Sequence, residues 1–270
     1  MPCFAAWALW FIGRPDEALV RMQEALTLAR QLSEPLNLAH ALLFAAILHQ
    51  LRRDERMAEE NAEAALAISS EHGLAMYQAM SRIMRGWAVF KRGRPEEAIE
   101  EMRRGLAELQ ATDAKLVRPH FLGLLAEALE KAGRPEEGLR ALEEALTMAQ
   151  QNGERYYEAE LYRLKGELLL AQPTGRNRSR AAAGGVALIE AEPPTAARAA
   201  GCFNQSIKIA QRQKASSWEL RAVTSLARLY QSQNKREEAR SLLAPIYDRF
   251  TDGFDTVDLR EAKTLLDELS

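Results

Sequence analysis

Apolar positions recur at helical spacing along most of this chain. Leu122, Leu125, Ala126 and Leu129 stand three or four residues apart, and after a short polar turn the pattern resumes at Leu139. This spacing places the apolar side chains on one face of an α-helix and leaves the charged residues on the other. The pattern therefore predicts two consecutive amphipathic helices in this segment.

The turn between these helices contains residues that suit a helix end and a helix start. Gly133 can adopt the left-handed conformation that closes a helix, and Pro135 fits a first turn, where its missing N–H costs nothing. Glu136 and Glu137 would lie beside the positive end of the helix dipole. Related turns occur at four other places, namely 13–19, 53–59, 93–99 and 234–240.

A small residue marks the same position after every turn and gives the period of the repeat. These residues are Ala18, Ala58, Ala98, Gly138, Ala199 and Ala239. They stand 40 residues apart, except that 61 residues separate the fourth from the fifth. The extra length coincides with residues 172–196, a stretch rich in Gly, Pro and small residues that predicts a disordered insertion.

Each period reads as one helix pair, and a further helix closes the chain. The predicted pairs are 2–12 with 15–31, 36–52 with 54–70, 75–92 with 95–111, 115–132 with 135–151, 154–171 with 197–213, and 216–233 with 235–250. The last helix, 255–269, would cap the exposed end, as solenoids require. We expect an all-α solenoid of about six pairs, forming a single domain over residues 1–270 with the insertion inside the fifth pair.

The small-residue columns and the glycine turn resemble the tetratricopeptide repeat (TPR), although the period here is 40 residues instead of about 34. The resemblance implies a right-handed superhelix whose concave face is lined by the first helix of each pair. A HEAT-like repeat is the alternative, since it shares the period but not the Gly-x-Pro-Glu-Glu-Ala turn.

A narrower resemblance extends over nearly the whole chain outside 172–196. It is carried by the segments 157–169, 218–222, 243–247 and 253–256. These are similar to the C-terminal repeats of large bacterial signalling proteins, which join a class III adenylate/guanylate cyclase or DNA-binding domain to a predicted AAA-type ATPase. The resemblance implies a cytoplasmic regulatory scaffold. ATP hydrolysis is not carried over, because the chain contains no Walker motif.

Composition and motifs exclude several other classes of protein. The net charge of −2 provides no field that favours nucleic acid or an anionic membrane, and the apolar runs are too short to span a bilayer. Two cysteines without ligand spacing fit a reduced cytoplasmic protein. No metalloprotease, nucleophile-elbow or dinucleotide motif occurs. We therefore expect no enzyme activity, no cofactor and no metal.

Candidate binding residues lie where the first helices of the pairs would face the groove. They are His40, Leu43, Ile47, Met80, Ile83, Trp87, His120, Glu127, Glu160, Arg163, Glu167, Arg221 and Arg228. The first half of this predicted groove is apolar and the second is charged, which would suit a peptide or helix with one end of each kind. The alternative for the charged residues is a solvated face with helix ion pairs.

Two functional hypotheses follow, and a third is weaker. The first is a protein or peptide scaffold whose partners include ATPase or cyclase domains absent from this chain. The second is a small-molecule sensor of a transcriptional regulator, and the third is an enzyme, for which no cluster of titratable groups is visible. Phe4, Trp7, Trp10 and Phe11 predict an uncovered aromatic edge at the N-terminal end, which either a preceding segment or self-association with another chain would cover.

Overall fold

The computed structural model describes residues 2–112, 114, 117–172 and 195–270. Within these residues the chain forms thirteen α-helices and no β-strand. Their bounds are α1 Pro2–Phe11, α2 Pro15–Leu32, α3 Pro35–Leu51, α4 Glu55–Glu71, α5 Ala75–Lys91, α6 Pro95–Ala111, α7 Arg118–Lys131, α8 Pro135–Asn152, α9 Glu158–Ala171, α10 Thr195–Gln213, α11 Ser216–Ser232, α12 Arg236–Tyr247 and α13 Val257–Glu268. Each odd-numbered helix from α1 to α11 packs against the helix that follows it, so the predicted helix pairs are confirmed.

The repeated turn has the predicted structure. Gly13, Gly93 and Gly133 have positive φ angles of 89°, 80° and 71°, and the next helix begins two residues later at a proline. Two helix starts differ from the prediction by more than two residues. Helix α7 begins at residue 118 because Val117 adopts a left-handed φ of 59°, and α9 begins only at residue 158. The predicted insertion at 172–196 falls almost entirely outside the described residues.

The small-residue column lies where helices approach most closely. All five of its alanines are completely buried, and Gly138 is buried as well. A methyl group at Gly138 would lie 2.3 Å from Leu168 Cδ2 and 3.1 Å from the carbonyl oxygen of Ala126. The spacing of 40 residues therefore reflects a packing requirement that recurs once in each pair.

Helix α13 covers the end of the solenoid, as predicted. Its buried residues Leu259, Ala262 and Leu265 form one apolar cluster with residues of α11 and α12, including Leu220 and Leu243. This cluster gives the last pair the apolar neighbour that a following repeat would otherwise supply.

The two ends of the solenoid also contact each other. The rings of Trp10 and Trp218 meet edge to face with centroids 4.7 Å apart, and Ser217 Oγ donates to the Trp10 carbonyl oxygen at 2.5 Å. Further along this contact, the backbone N–H of Gly253 donates to Asp16 Oδ2 at 2.8 Å. Helices α1 and α11 are thus neighbours, and the superhelix closes on itself.

This closure corrects the prediction of an uncovered aromatic edge. Trp7 and Trp10 are only 5% and 2% exposed. Trp7 stacks on Phe44, and Trp10 packs against α11, because the curvature of the solenoid returns the chain to its own first helix. Of the four aromatic residues, Phe4 remains largely exposed.

Candidate functional site: a charged central cleft

A cleft of about 270 Å³ lies at the centre of the closed solenoid. Its walls come mainly from the inward-facing helices α5, α7, α9 and α11, and helix α13 and the segment around the end of α3 complete it. The lining residues are Gln50, Arg53, Trp87, Lys91, Glu127, Glu130, Lys131, Tyr157, Glu160, Arg163, Leu164, Glu167, Leu220, Arg221, Thr224, Ser225, Arg228, Asp258 and Glu261.

The structure brings seven of the thirteen sequence-predicted residues together in this cleft. They are Trp87, Glu127, Glu160, Arg163, Glu167, Arg221 and Arg228. The predicted apolar half of the groove is filled instead. Leu43, Ile47, Met80 and Ile83 are at most 5% exposed and belong to the main apolar core, so they present no surface to a partner.

The two predicted histidines make internal contacts outside the cleft. His120 is fully buried, with Nε2 2.9 Å from Gln50 Oε1 and Nδ1 3.1 Å from the Tyr156 hydroxyl oxygen. Burial lowers the pKa of His120 to about 3, so its ring is neutral near pH 7. His40 is half-buried and stacks on Phe44, and its Nδ1 lies 3.2 Å from the Tyr77 hydroxyl.

Glu160 and Arg163 form the floor of the cleft. Both oxygens of the Glu160 carboxylate accept hydrogen bonds of 2.8 Å from the Arg163 guanidinium, and Arg221 Nη1 lies 3.5 Å away. Burial acts to raise the pKa of Glu160, but the two guanidinium groups outweigh it and hold that pKa below its ordinary value. Glu160 is therefore ionised and fully paired.

Arg221 connects this floor to both ends of the chain. Its guanidinium lies over the rings of Trp10 and Trp218, at 5.2 and 5.0 Å from their centroids. Nε donates to Asp258 Oδ2 at 2.8 Å, and Nη2 donates to the carbonyl oxygen of Leu51. A buried guanidinium needs such partners, because an unpaired buried charge is strongly destabilising.

A second pair, Lys91 and Glu127, lines another part of the wall. Lys91 Nζ donates to Glu127 Oε1 at 2.7 Å and lies 5.4 Å from the centroid of the Trp87 ring. Burial acts to raise the pKa of Glu127, but the Lys91 ammonium holds it below its usual value. The buried Nε1 of Trp87 has no acceptor among the described residues.

Ion pairs with helix α13 close the remaining side of the cleft. Arg53 Nη1 lies 3.4 Å from Asp258 and 2.9 Å from Glu261, while Arg228 Nη2 donates to Glu261 at 2.8 Å. Sequence reasoning missed Arg53, Asp258 and Glu261, because Arg53 lies 205 positions before Asp258 along the chain. One signal was available, because Arg53 stands at the turn position that is glycine in three other repeats.

Opposite charges balance in the cleft. The basic residues are Arg53, Lys91, Lys131, Arg163, Arg221 and Arg228, and the acidic residues are Glu127, Glu130, Glu160, Glu167, Asp258 and Glu261. In the part of the chain that the structure describes, no group of three or more His, Cys, Asp or Glu side chains could hold a metal ion. The cleft therefore offers charged hydrogen-bonding groups of both signs.

No helix among the described residues has both the length and the apolar character needed to cross a membrane.

A family model for the tetratricopeptide repeat matches residues 3–24, 79–104 and 119–144. These segments fall on α1 with the start of α2, on α5 with α6, and on α7 with α8. Each match therefore begins in the first helix of a pair and continues across the turn into the second.

Comparisons with known proteins give the following relatives. A Rap protein, crystallised in complex with competence and sporulation factor, superposes with a TM-score of 0.63 at 14% identity, over 99% of this chain and 78% of that one. A putative kinesin light chain with TPR-like repeats from Podosopora anserina gives a TM-score of 0.49 at 19% identity, over 79% of this chain and 94% of that one. An uncharacterised protein of Rhizobium meliloti (strain 1021) is 26% identical over 164 residues, which are 60% of this chain but only 16% of the relative.

The predicted fold class is confirmed by the helix pairs and by the superposition on the Rap protein. The superposition on the Rap protein supports the fold alone, because the sequences are only 14% identical. The matched segments support the predicted repeat type at three of the six pairs. Three segments of the chain thus match the tetratricopeptide repeat, and the described residues fold as an all-α solenoid of helix pairs.

Proposed function

We propose that this chain is a non-enzymatic scaffold that binds a charged segment of a protein partner in the central cleft. The observation that carries the proposal is the convergence of charged side chains from α5, α7, α9, α11 and α13 on one cleft. Stability alone does not require such a concentration of charge, because replacing buried ion pairs by well-packed apolar residues is often neutral or stabilising.

The chemistry of the lining favours a peptide segment over a small metabolite. Pockets for small molecules are predominantly apolar, with a few polar groups, and typically enclose about 300–1,000 Å³. This cleft is mainly charged, and its volume of about 270 Å³ lies just below that range. Its rim also reaches solvent, since the side chains of Arg228 and Lys131 are 48% and 63% exposed. A partner can therefore extend out of the cleft over the rim.

The state of the carboxylates argues against acid–base catalysis. Glu127 and Glu160 have lowered pKa values despite their burial, since Lys91 and Arg163 hold them ionised. A general acid near neutral pH needs the opposite, a carboxyl group whose pKa is raised by its surroundings. The cleft carboxylates are thus suited to holding cationic groups in place.

The biological context of the scaffold rests on the sequence resemblance. We place the chain as the regulatory repeat region of a bacterial signalling ATPase or cyclase, located in the cytoplasm. The match to only 16% of a much longer Rhizobium meliloti protein is consistent with a repeat region joined to other domains. The Rap protein, a similar fold, was crystallised with a competence and sporulation factor, which supports binding of a partner.

A second candidate function is small-molecule sensing. It is favoured by Trp87, whose buried indole N–H has no acceptor among the described residues and whose side chain, like that of Tyr157, lines the cleft. A compact ligand that carries a carbonyl or carboxylate oxygen would provide that acceptor. Such a ligand would raise the melting temperature of the chain, because it binds only the folded state.

A displayed library of random peptides, together with a thermal-shift screen against metabolites, separates the two candidates. We expect the library to yield binders whose affinity falls at least about tenfold with Arg228→Glu, because a charge is reversed at the rim. Arg104→Glu is the matched control, since Arg104 lies on α6 outside the cleft and is 64% exposed. Metabolites that shift melting, with no binders dependent on Arg228, would favour the sensor and contradict the scaffold.

A further inference from the structure

Arg53 has an unusual backbone conformation for a residue with a side chain. Its φ is 60°, and the equivalent turn position is glycine in three other repeats, at Gly13, Gly93 and Gly133. The left-handed region is unfavourable for most residues other than glycine. Asn234, at the equivalent turn position of the last repeat, also has a φ of 60°, so Arg53 is distinguished by the contacts of its side chain. The side chain of Arg53 is therefore the feature to explain.

That side chain reaches across the closed solenoid to the terminal helix. Arg53 Nη1 lies 2.9 Å from Glu261 Oε1, and Arg228 Nη2 donates to Glu261 Oε2 at 2.8 Å. One carboxylate thus joins two arginines, each through a different oxygen. Burial acts to raise the pKa of Glu261, but these two guanidinium groups hold it below its ordinary value.

The inner and outer parts of this ion-pair network differ in exposure. Asp258 and Arg221, the inner pair, are 11% and 9% exposed, and Arg221 has several further partners. Arg53, Arg228 and Glu261, the outer group, are 34%, 48% and 33% exposed. The outer ion pairs are in contact with solvent and can exchange partners at low cost. The inner pair can hold α13 in place while the outer carboxylate is replaced.

We propose that Arg53 and Arg228 form a receptor for a carboxylate of an acidic partner segment, and that Glu261 occupies this receptor as an internal competitor. The inference rests on the proposed function, because it assigns the chemistry of the partner and its regulation to the same cleft. Glu261 shows the geometry of the bound group, with one carboxylate held between two guanidinium groups. An incoming acidic segment takes the place of Glu261, while the apolar face of α13 stays packed on α11 and α12.

The test measures binding of fluorescein-labelled hexaglutamate to the full chain by fluorescence anisotropy. We expect Glu261→Gln to bind the peptide about tenfold or more tightly than the unmodified chain, because the competing charge is removed and both arginines remain. Adding Arg228→Ala to Glu261→Gln should remove the gain. Asp267→Asn is the matched control, since it removes one charge from the same helix at a residue that is 61% exposed and pairs with Lys263.

Three results would overturn the inference. In the first, Glu261→Gln and the unmodified chain bind hexaglutamate equally well, or neither binds it. In the second, Asp267→Asn tightens binding as much as Glu261→Gln does. In the third, the tighter binding of Glu261→Gln persists when Arg228→Ala is added. Failure of this inference can be distinguished from failure of the proposed function. If displayed peptides bind through Arg228 but are not acidic, and Glu261→Gln does not tighten their binding, the scaffold stands and the competitor role is lost.

Discussion

The indole rings of Trp10 and Trp218 meet edge to face with their centroids 4.7 Å apart, although they belong to the first and eleventh helices. This contact joins the two ends of the solenoid. The guanidinium of Arg221 lies over both rings and continues the contact into the central cleft. The cleft exists because the ends meet, since Arg53 and Asp258 line it from opposite ends of the chain.

Replacing Trp10 tests how much the closure contributes to stability. Trp10 is 2% exposed, so Trp10→Ala should lower the free energy of unfolding by about 3–5 kcal/mol, the usual range for a buried Trp. Urea denaturation measures the change. Val20→Ala, at a residue that is 62% exposed, should stay within about 0.5 kcal/mol. A loss below about 1 kcal/mol for Trp10→Ala would mean that the ends do not pack as described.

Two glycines, one in α8 and one in α10, should affect stability in opposite directions when replaced by alanine. At Gly138 a methyl group would meet Leu168 Cδ2 at 2.3 Å, so Gly138→Ala should destabilise the chain by about 1–3 kcal/mol through overpacking. A methyl group added at Gly201, in the middle of α10, would have no neighbour within 4 Å among the described residues. There, alanine should stabilise the chain by up to about 1 kcal/mol through helix propensity. Thermal or urea unfolding measures the change in stability of each variant. Changes of the same sign in both variants would contradict the packing described for these helices.

Arg53→Gly should change stability little, although it removes two ion pairs. The half-exposed pairs contribute about 0–1 kcal/mol each. Glycine relieves a left-handed conformation that costs other residues about 1–2 kcal/mol. We therefore expect the free energy of unfolding to change by less than about 1 kcal/mol, measured in urea. A loss above about 2 kcal/mol would show that Arg53 is retained for stability and not for its place in the cleft.

Stability should fall as the pH is lowered from about 6.5 towards 3. Burial lowers the pKa of His120 to about 3, so its ring stays neutral in the folded chain over most of this window. Burial also lowers the pKa values of His40 and His49. In the unfolded chain they take up protons below about pH 6.5. A histidine that is neutral in the folded chain and protonated in the unfolded chain therefore lowers the free energy of unfolding by up to about 1.4 kcal/mol for each pH unit.

His120→Gln isolates one of these histidines, because glutamine stays polar but does not take up a proton in this range. Between pH 7 and pH 5, the free energy of unfolding of this variant should depend less steeply on pH, as measured by urea denaturation at several pH values. His72→Gln, at an exposed residue, is the control for the loss of a histidine. An unchanged slope in His120→Gln would contradict the burial of His120.

The sequence predicted the local structure well because the determinants of each helix pair are local. Gly133 and Pro135 set the end of one helix and the start of the next, and Gly138 fixes where the two helices touch. These residues lie within a few positions of each other, and the same arrangement returns with a constant period. The helix pairs and the cap could therefore be predicted from spacing alone.

The closed shape could not be predicted in this way. The curvature of the solenoid is the sum of a small rotation at each repeat, and no single residue in the sequence predicts it. As a result Leu43 and Ile47, which were expected in an open groove, are core residues. Arg53 and Asp258 were missed because their contact exists only after the ends have met. One signal for Arg53 was the absence of the turn glycine that three other repeats have at this position.

The closure is tested most directly by a distance between the first and last repeats in solution. Spin labels on cysteines at Glu17 and Phe254 would flank the contact between Asp16 and Gly253, after Cys3 and Cys202 are replaced by alanine. Double electron–electron resonance should then give one narrow distribution below about 25 Å, the length of a 17-residue helix such as α11. A broad distribution centred well beyond one helix length would show an open superhelix and contradict the closed cleft.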